Sequence, residues 1–222
     1  MPAPLPGHGS PGADRSRPAP RSGLLFILSA PSGAGKSTLG RMLRARIPDL
    51  GYSVSYTTRL PRKGESDGQD YHFISPAQFE AGITRGAWAE WARVHDNYYG
   101  TRAKDLASLL DQGRDVLLDI DVQGTRQIVE RIPDAVTIFI KPPSLETLEA
   151  RLRQRGTDSE PVIAKRLSNA RREMKACRHY RHVVVNDDLQ QAADTLVGLV
   201  SDYRSRGAAA ESAGPSASHQ VR

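Results

Sequence analysis

Residues 24–39 read LLFILSAPSGAGKSTL, an apolar run followed by a glycine-rich loop and the start of an amphipathic segment. The loop follows the pattern GxxxxGK[ST], in which successive backbone NH groups turn inward around a phosphate at the positive end of a helix dipole. Ala30 replaces the first glycine of this pattern. The later glycines, Lys36 and Ser37 nevertheless retain the phosphate cradle, a positive point charge and a hydroxyl for Mg²⁺.

A bound nucleotide explains this loop better than an empty turn does. A glycine-rich connection between a strand and a helix could be a turn without a ligand. A lysine beside the positive end of a helix dipole, however, is unfavourable unless an anion is bound there. We therefore predict an ATP site in which Lys36 is catalytic and Ser37 binds Mg²⁺, mostly through water and phosphates. The loop residues predicted to bind ATP are Ala30, Pro31, Ser32, Gly33, Ala34, Gly35, Lys36, Ser37 and Thr38.

Short apolar runs typical of buried strands alternate along the chain with amphipathic segments. The predicted strands are 24–28, 116–120, 136–140 and 183–185. The predicted helices are 37–47, 102–112, 123–131, 145–154, 162–179 and 189–203. This alternation predicts an α/β fold with a parallel core sheet between two layers of helices, the three-layer α/β/α arrangement of P-loop NTPases.

Two regions interrupt the alternation. Residues 52–95 alternate polar and aromatic positions and contain a short helix opened by a capping box at Ser75, which predicts an inserted β-rich subdomain. Residues 151–161 hold several arginines and a glycine between two helices, which predicts a mobile lid.

The two ends of the chain contain little apolar surface to offset the entropy of folding. We therefore expect disordered tails around one folded unit. The predicted boundaries are tails at 1–22 and 207–222, a folded domain at 23–206, and a core made of 23–51 and 96–206.

Composition limits the partners of the chain. The formal net charge of +6 suits anionic ligands, but the arginines lie among acidic residues instead of forming a basic stripe, so we expect no nucleic acid partner. The apolar run at 24–28 is too short to span a bilayer, so we expect no membrane segment. The single cysteine, Cys177, excludes an internal disulfide and favours the cytoplasm. We interpret Cys177, His179 and His182 as structural, and the oligomeric state stays open.

Further motifs follow the phosphate loop. They are TTRLPRKGESDGQDYHF at 57–73, Glu90 and Trp91, NYYG at 97–100, LDIDVQG at 118–124, RGT at 155–157 and NDD at 186–188. In this order they resemble the guanylate kinase family over residues 23–203. The resemblance implies transfer of the γ-phosphate of ATP to GMP, giving ADP and GDP, in purine nucleotide metabolism. It also implies that the β-rich subdomain binds GMP.

The residues of these motifs fit a guanine nucleotide. Arg59 and Arg62 present two planar forks that can grip one phosphate, although two arginines alone would also fit a solvated basic loop. Guanine has an acceptor at O6 and donors at N1 and N2, so its site needs a hydroxyl and a carboxylate. Ser55 and Glu90 can supply these groups, although Glu90 could instead belong to the polar face of a strand. Tyr71 and Tyr99 can add hydroxyl donors, and the resemblance implies Glu65, Thr101, Asp119 and Asp121 as further GMP-binding residues. Thr101 could also cap the helix predicted at 102–112.

The chemistry implied by the resemblance needs charge placement more than proton transfer. The attacking oxygen of the GMP phosphate is already ionised at neutral pH, so no side chain need act as its base. Mg²⁺, Lys36 and arginines would stabilise the transferred phosphoryl group, and a closed lid would exclude water. The predicted catalytic arginines are Arg59 and, by resemblance, Arg151, Arg155 and Arg166, and the resemblance places Asn186 beside the adenine of ATP.

Two alternative functions share this scaffold. A non-catalytic interaction module would bind proteins without turning over nucleotide, and the intact phosphate loop argues against it. A sugar-phosphate kinase should lack the base-reading pair Glu90 and Ser55, and both residues are present.

Overall fold

The computed structural model describes residues 22–94, 96–154, 156 and 158–212. Within these residues the strands are β1 Leu25–Ser29, β2 Gly51–Tyr52, β3 Tyr56–Thr57, β4 His72–Phe73, β5 Trp88–Val94, β6 Asn97–Arg102, β7 Val116–Asp119, β8 Val136–Lys141 and β9 His182–Val185. The helices are α1 Lys36–Arg46, α2 Pro76–Thr84, α3 Ala103–Asp111, α4 Val122–Arg131, α5 Leu145–Gln154, α6 Glu160–Lys175 and α7 Leu189–Ser212. A short 3-10 helix, Ala176–His179, continues α6.

A parallel sheet of five strands forms the core, in the order β2-β7-β1-β8-β9. The central strand β1 is buried along its whole length, as expected for a strand covered on both faces. Its side chains alternate between two helical layers. Phe26 and Leu28 belong to the same apolar cluster as residues of α1 and α7, whereas Leu25 and Ile27 belong to a cluster with residues of α3 and α4. The predicted three-layer α/β/α fold is confirmed.

A second sheet, in the order β4-β3-β6-β5, forms the predicted β-rich insertion. Helix α2 packs on it through Phe79, which stacks on Trp88 at 4.1 Å and on Tyr98 at 5.1 Å between ring centroids. The capping box at Ser75 is confirmed. The insertion is longer than predicted, because β6 pairs with β3 and β5 and therefore belongs to the second sheet.

Two other boundaries also differ from the sequence predictions. Arg151 lies inside α5, which continues to Gln154, so the start of the segment predicted as irregular at 151–161 is helical. Helix α7 continues to Ser212, past the predicted boundary at 206, where a run of alanines favours helix. The remaining tail residues, 1–21 and 213–222, lie outside the described part of the chain.

Thr101 does not cap α3. The residue that precedes this helix is Arg102, and no side chain caps the helix start. The Thr101 hydroxyl instead donates a hydrogen bond to Glu90, as described below. None of the helices within the described ranges has the length and apolar character needed to cross a membrane.

Candidate active site

The phosphate loop joins the end of β1 to the start of α1. Gly33 and Gly35 have positive φ angles of 96° and 94°, in the left-handed region that glycine adopts without strain. No side chain caps the start of α1, so a phosphate could accept hydrogen bonds from its first NH groups. Gly35 also leaves room for a neighbour, because a Cβ there would lie 2.4 Å from Nδ2 of Asn186.

Lys36 projects from the first turn of α1 toward the carboxyl end of β7. Its Nζ forms an ion pair with Asp119 and donates to the carbonyl oxygen of Ile120 at 3.4 Å. Burial is the largest single influence and lowers the pKa of Lys36, but the charge and hydrogen bond of Asp119, together with the nearby Tyr71 and Asp121, outweigh burial and raise the pKa. The lysine is therefore held positively charged beside the loop.

A cavity of about 330 Å³ separates the phosphate loop from the second sheet. It brings together predicted residues that are far apart in the sequence. The loop contributes all of its predicted residues except Ala34, the core contributes Asp119, Asp121 and Arg166, and the second sheet and its connections contribute Ser55, Tyr71, Glu90 and Tyr99. Groups from both predicted nucleotide sites thus line one space.

Glu90 is the buried carboxyl group of this cavity, with an exposed fraction of 3%. Thr101 is buried and does not line the cavity, and its hydroxyl donates a hydrogen bond to Oε1 of Glu90 at 2.7 Å. Burial, reinforced by the negative charge of Asp121, raises the pKa of Glu90 to about 7, although the Thr101 hydrogen bond opposes the shift. The ionised form would be stabilised by additional hydrogen-bond donors.

The side chains of Arg59, Arg62 and Glu65 do not line the cavity, although Arg59 contacts Tyr71, which does. Nη1 and Nη2 of Arg59 each donate to Glu65 at 2.9 Å, and Glu65 also accepts from the backbone NH of Arg62 at 2.7 Å. The Arg59 guanidinium lies 5.4 Å from the centre of the Tyr71 ring, and Tyr71 in turn contacts Tyr99 edge to face. Glu65 therefore fixes Arg59 and the turn that carries Arg62, whose side chain is exposed.

A second cavity, of about 340 Å³, lies on the other side of the phosphate loop. Asn186, which is buried, donates from Nδ2 to the carbonyl oxygen of Ala34 at 2.8 Å, while its buried Oδ1 has no hydrogen-bond partner among the described residues. Arg151 donates to the carbonyl oxygens of Asn186 at 3.0 Å and of Asp187 at 3.3 Å. Arg151 and Arg166 therefore line different cavities, and Arg155 lies outside the described residues.

Almost the whole described part of the chain is similar to one family of known proteins. The family model for guanylate kinase matches residues 22–203. The chain belongs to the guanylate kinase family.

Individual guanylate kinases are similar to the chain over most of their length. The guanylate kinase of Aromatoleum aromaticum is 53% identical over 184 residues, covering 83% of this chain and 90% of that protein. The guanylate kinase of Syntrophotalea carbinolica is 51% identical over 180 residues, covering 81% of this chain and 86% of the other. The crystal structure of guanylate kinase from Anaplasma phagocytophilum matches with a TM-score of 0.69 and 34% identity, covering 82% of this chain and 87% of that chain.

Sequence reasoning missed two polar residues of α6 that line the main cavity, the one between the phosphate loop and the second sheet. Asn169 and Glu173 of α6 line it together with Arg166. Burial, with the charge of Asp121, raises the pKa of Glu173, and within the part of the chain that the structure describes its buried Oε2 has no hydrogen-bond partner. The three residues are spaced three and four apart, so helical periodicity could have identified one face of α6 once Arg166 had been assigned.

The donor set of this guanylate kinase family member suits a metal ion that arrives with a nucleotide. Among the described residues, no group of three His, Cys, Asp or Glu side chains could hold a metal ion alone. The Ser37 hydroxyl and the Asp119 carboxylate are nevertheless oxygen donors near the phosphate loop, the ligand type that Mg²⁺ prefers.

Proposed function

We propose that this protein transfers the γ-phosphate of ATP to GMP, giving ADP and GDP. The carrying observation is that Lys36 of the phosphate loop and the buried carboxyl group of Glu90 face the same cavity. The membership of the guanylate kinase family supports the same reaction. An interaction module would not need the intact phosphate loop with Lys36, and a sugar-phosphate kinase would not need the base-reading carboxyl group of Glu90.

The acceptor base would bind at Glu90. Its carboxylate can accept from N1–H and N2–H of guanine, and the Ser55 hydroxyl can donate to O6. Thr101 would hold Glu90 from behind, at the 2.7 Å distance given above. Asp121, in the same cavity, would supply a further acceptor near the base.

The acceptor phosphate would bind toward Arg59, Arg62, Tyr71 and Tyr99. Glu65 would act on this phosphate indirectly, because its carboxylate accepts hydrogen bonds from both terminal nitrogens of Arg59 and from the backbone NH of Arg62. A guanidinium fork held in this way loses little side-chain entropy when a phosphate binds.

The donor nucleotide would bind along the phosphate loop, with its base in the cavity beside Asn186 and Arg151. Lys36 and the loop NH groups would stabilise the charge that develops on the transferred phosphoryl group, while the attacking oxygen needs no base. Ser37 would hold Mg²⁺, with Asp119 beside it, and the bound ion would supply positive charge that neutralises the phosphates. The transferred phosphoryl group would be further stabilised by the positive charges of Arg151, Arg155 and Arg166 when the segment between α5 and α6 closes as a lid.

We also propose that the protein acts in the cytoplasm, in purine nucleotide metabolism and GMP recycling. The lone cysteine fits a reducing compartment, and both proposed substrates are soluble nucleotides.

A coupled assay of ADP formation with GMP, AMP, UMP and ribose phosphate tests the proposal. We expect turnover with GMP and much lower rates with the other acceptors. A protein that turned over none of them would be an interaction module, and a preference for ribose phosphate would identify a sugar-phosphate kinase.

A further inference from the structure

Helix α4 supports the outer edge of β5. This strand lies at the end of the second sheet, so the backbone groups along one of its edges need partners other than strands. Gln127 of α4 supplies two of them: its Nε2 donates to the Trp91 carbonyl oxygen at 2.7 Å, and its Oε1 accepts from the Trp91 NH at 3.2 Å. Arg131, one turn further along α4, donates from Nη1 to the Trp88 carbonyl oxygen at 2.8 Å.

These contacts lie on both sides of an irregularity in β5. Trp88 pairs with Arg102 and Glu90 pairs with Thr101, so β5 advances by two residues where β6 advances by one. Ala89 is therefore the extra residue of a β-bulge, a feature that redirects side chains and is frequent beside active sites.

The bulge divides the side chains of β5 between two faces of the sheet. Trp88 stacks on Phe79, and Trp91 joins the same aromatic cluster through Tyr98, at 5.8 Å between ring centroids. Residues three apart in a regular strand point to opposite faces, so the extra residue is what allows both tryptophans to share one face. Glu90 is consequently directed to the other face, toward the cavity.

Helix α4 also contacts the carboxyl group of Glu90 directly. A Cβ at Gly124 would lie 2.3 Å from Oε2 of Glu90, so the helix backbone passes against this group. Gly124, Gln127 and Arg131 are spaced three and four residues apart, which places them on one face of the helix. This face thus fixes both the carboxyl group and the strand backbone on either side of it.

We propose that Gln127 and Arg131 are positioning residues for guanine recognition, because they hold the bulged strand in the register that directs Glu90 at the base. The inference rests on the proposed function. Neither residue lines the cavity, so both act through the backbone of β5. A carboxylate must meet N1–H and N2–H together, and a small displacement of the strand would separate it from one of these donors.

The test compares GMP with IMP, whose base lacks the 2-amino group. For Gln127→Ala we expect the ratio of kcat/KM for GMP to kcat/KM for IMP to fall about tenfold, with the KM for ATP unchanged within about twofold. Gln127→Glu preserves the size of the side chain but loses the donor to Trp91, so this ratio should fall as well. Arg131→Ala should lower the ratio, and Arg131→Lys should restore most of it, since an ammonium group can still donate to the Trp88 carbonyl.

Arg126→Ala is the matched control, because Arg126 precedes Gln127 on α4 and its exposed side chain forms an ion pair with Glu130. We expect this variant to keep the wild-type ratio. A variant that only lost stability would lower the rates for GMP and IMP by the same factor, and that result in both Gln127 variants would overturn the inference. Wild-type protein that did not phosphorylate GMP would overturn the proposed function as well, so the two failures are distinguishable.

Discussion

The two sides of the main cavity hold charge in opposite ways. On the phosphate-loop side, the positive charge of Lys36 is maintained by Asp119, and the loop is shaped for an anion. On the second-sheet side, Glu90 is buried with Thr101 as a donor to one oxygen, and its pKa is raised to about 7. The first side is therefore organised in advance for phosphate, whereas the second gains its full set of hydrogen bonds only when a base supplies donors.

This difference has a kinetic consequence. A change on the phosphate-loop side should slow phosphoryl transfer to every acceptor. A change beside Glu90 should alter which acceptor is chosen and leave the handling of ATP largely intact.

The largest expected effect is that of Lys36→Ala. We expect kcat to fall by about 10³-fold or more for GMP and for IMP alike, because the variant lacks a positive charge at the transferred phosphoryl group. Steady-state rates and a thermal unfolding curve would check this, with Lys104→Ala, an exposed lysine on α3, as the control. A near-normal rate in a folded Lys36→Ala protein would contradict the role of this lysine.

Glu90→Gln should have the next largest effect, on the opposite side of the comparison. An amide cannot accept from both guanine donors, so we expect kcat/KM for GMP to fall about 100-fold while the KM for ATP changes little. The measurement is a pair of substrate titrations, one for each nucleotide. Equal losses for GMP and ATP would remove the distinction between the two sides.

The pH dependence should show a smaller effect of the same group. Glu90 can accept from both guanine donors only when it is ionised, and its protonated fraction grows as the pH falls through about 7. We therefore expect kcat/KM for GMP to decline toward about tenfold per pH unit below this value. The profile of Glu90→Gln should lack this step and retain only the titration of the substrate phosphate, and identical profiles would refute the assignment.

Glu65→Gln should produce the smallest change. The variant weakens the support of Arg59, so we expect the KM for GMP to rise about three- to tenfold. IMP carries the same phosphate, so its KM should rise by the same factor. The Gln127 variants, by contrast, should weaken GMP more than IMP. Glu149→Gln, which alters a more exposed arginine pair on α5, serves as the control and should have no effect. A selective loss of GMP in Glu65→Gln would place Glu65 at the base instead.

The sequence predicted the phosphate-loop side well because that side is local. Its residues are consecutive, and an apolar strand followed by glycines and a helix start defines their backbone geometry. The buried core strands β1, β7 and β8 were equally clear, since strands buried on both faces are continuous apolar runs, whereas the two-residue strand β2 was not predicted.

The arrangement of the second-sheet side was harder to predict from the sequence, because it depends on tertiary contacts. Thr101 was misassigned as a possible helix cap because the sequence does not show that its hydroxyl reaches Glu90. The bulge at Ala89 is set by pairing with β6, and the position of Glu173 in the cavity depends on how α6 packs. The resemblance predicted which residues lie near the base, but it did not indicate how α4 supports Glu90.

The most direct test of this account is a crystal structure with GMP and a non-hydrolysable ATP analogue. We expect the guanine base within hydrogen-bond distance of Glu90 and Ser55, and the analogue's phosphates in the loop beside Lys36. A guanine base bound elsewhere, with Glu90 still hydrogen-bonded only to Thr101, would contradict the claim that this carboxyl group selects the acceptor.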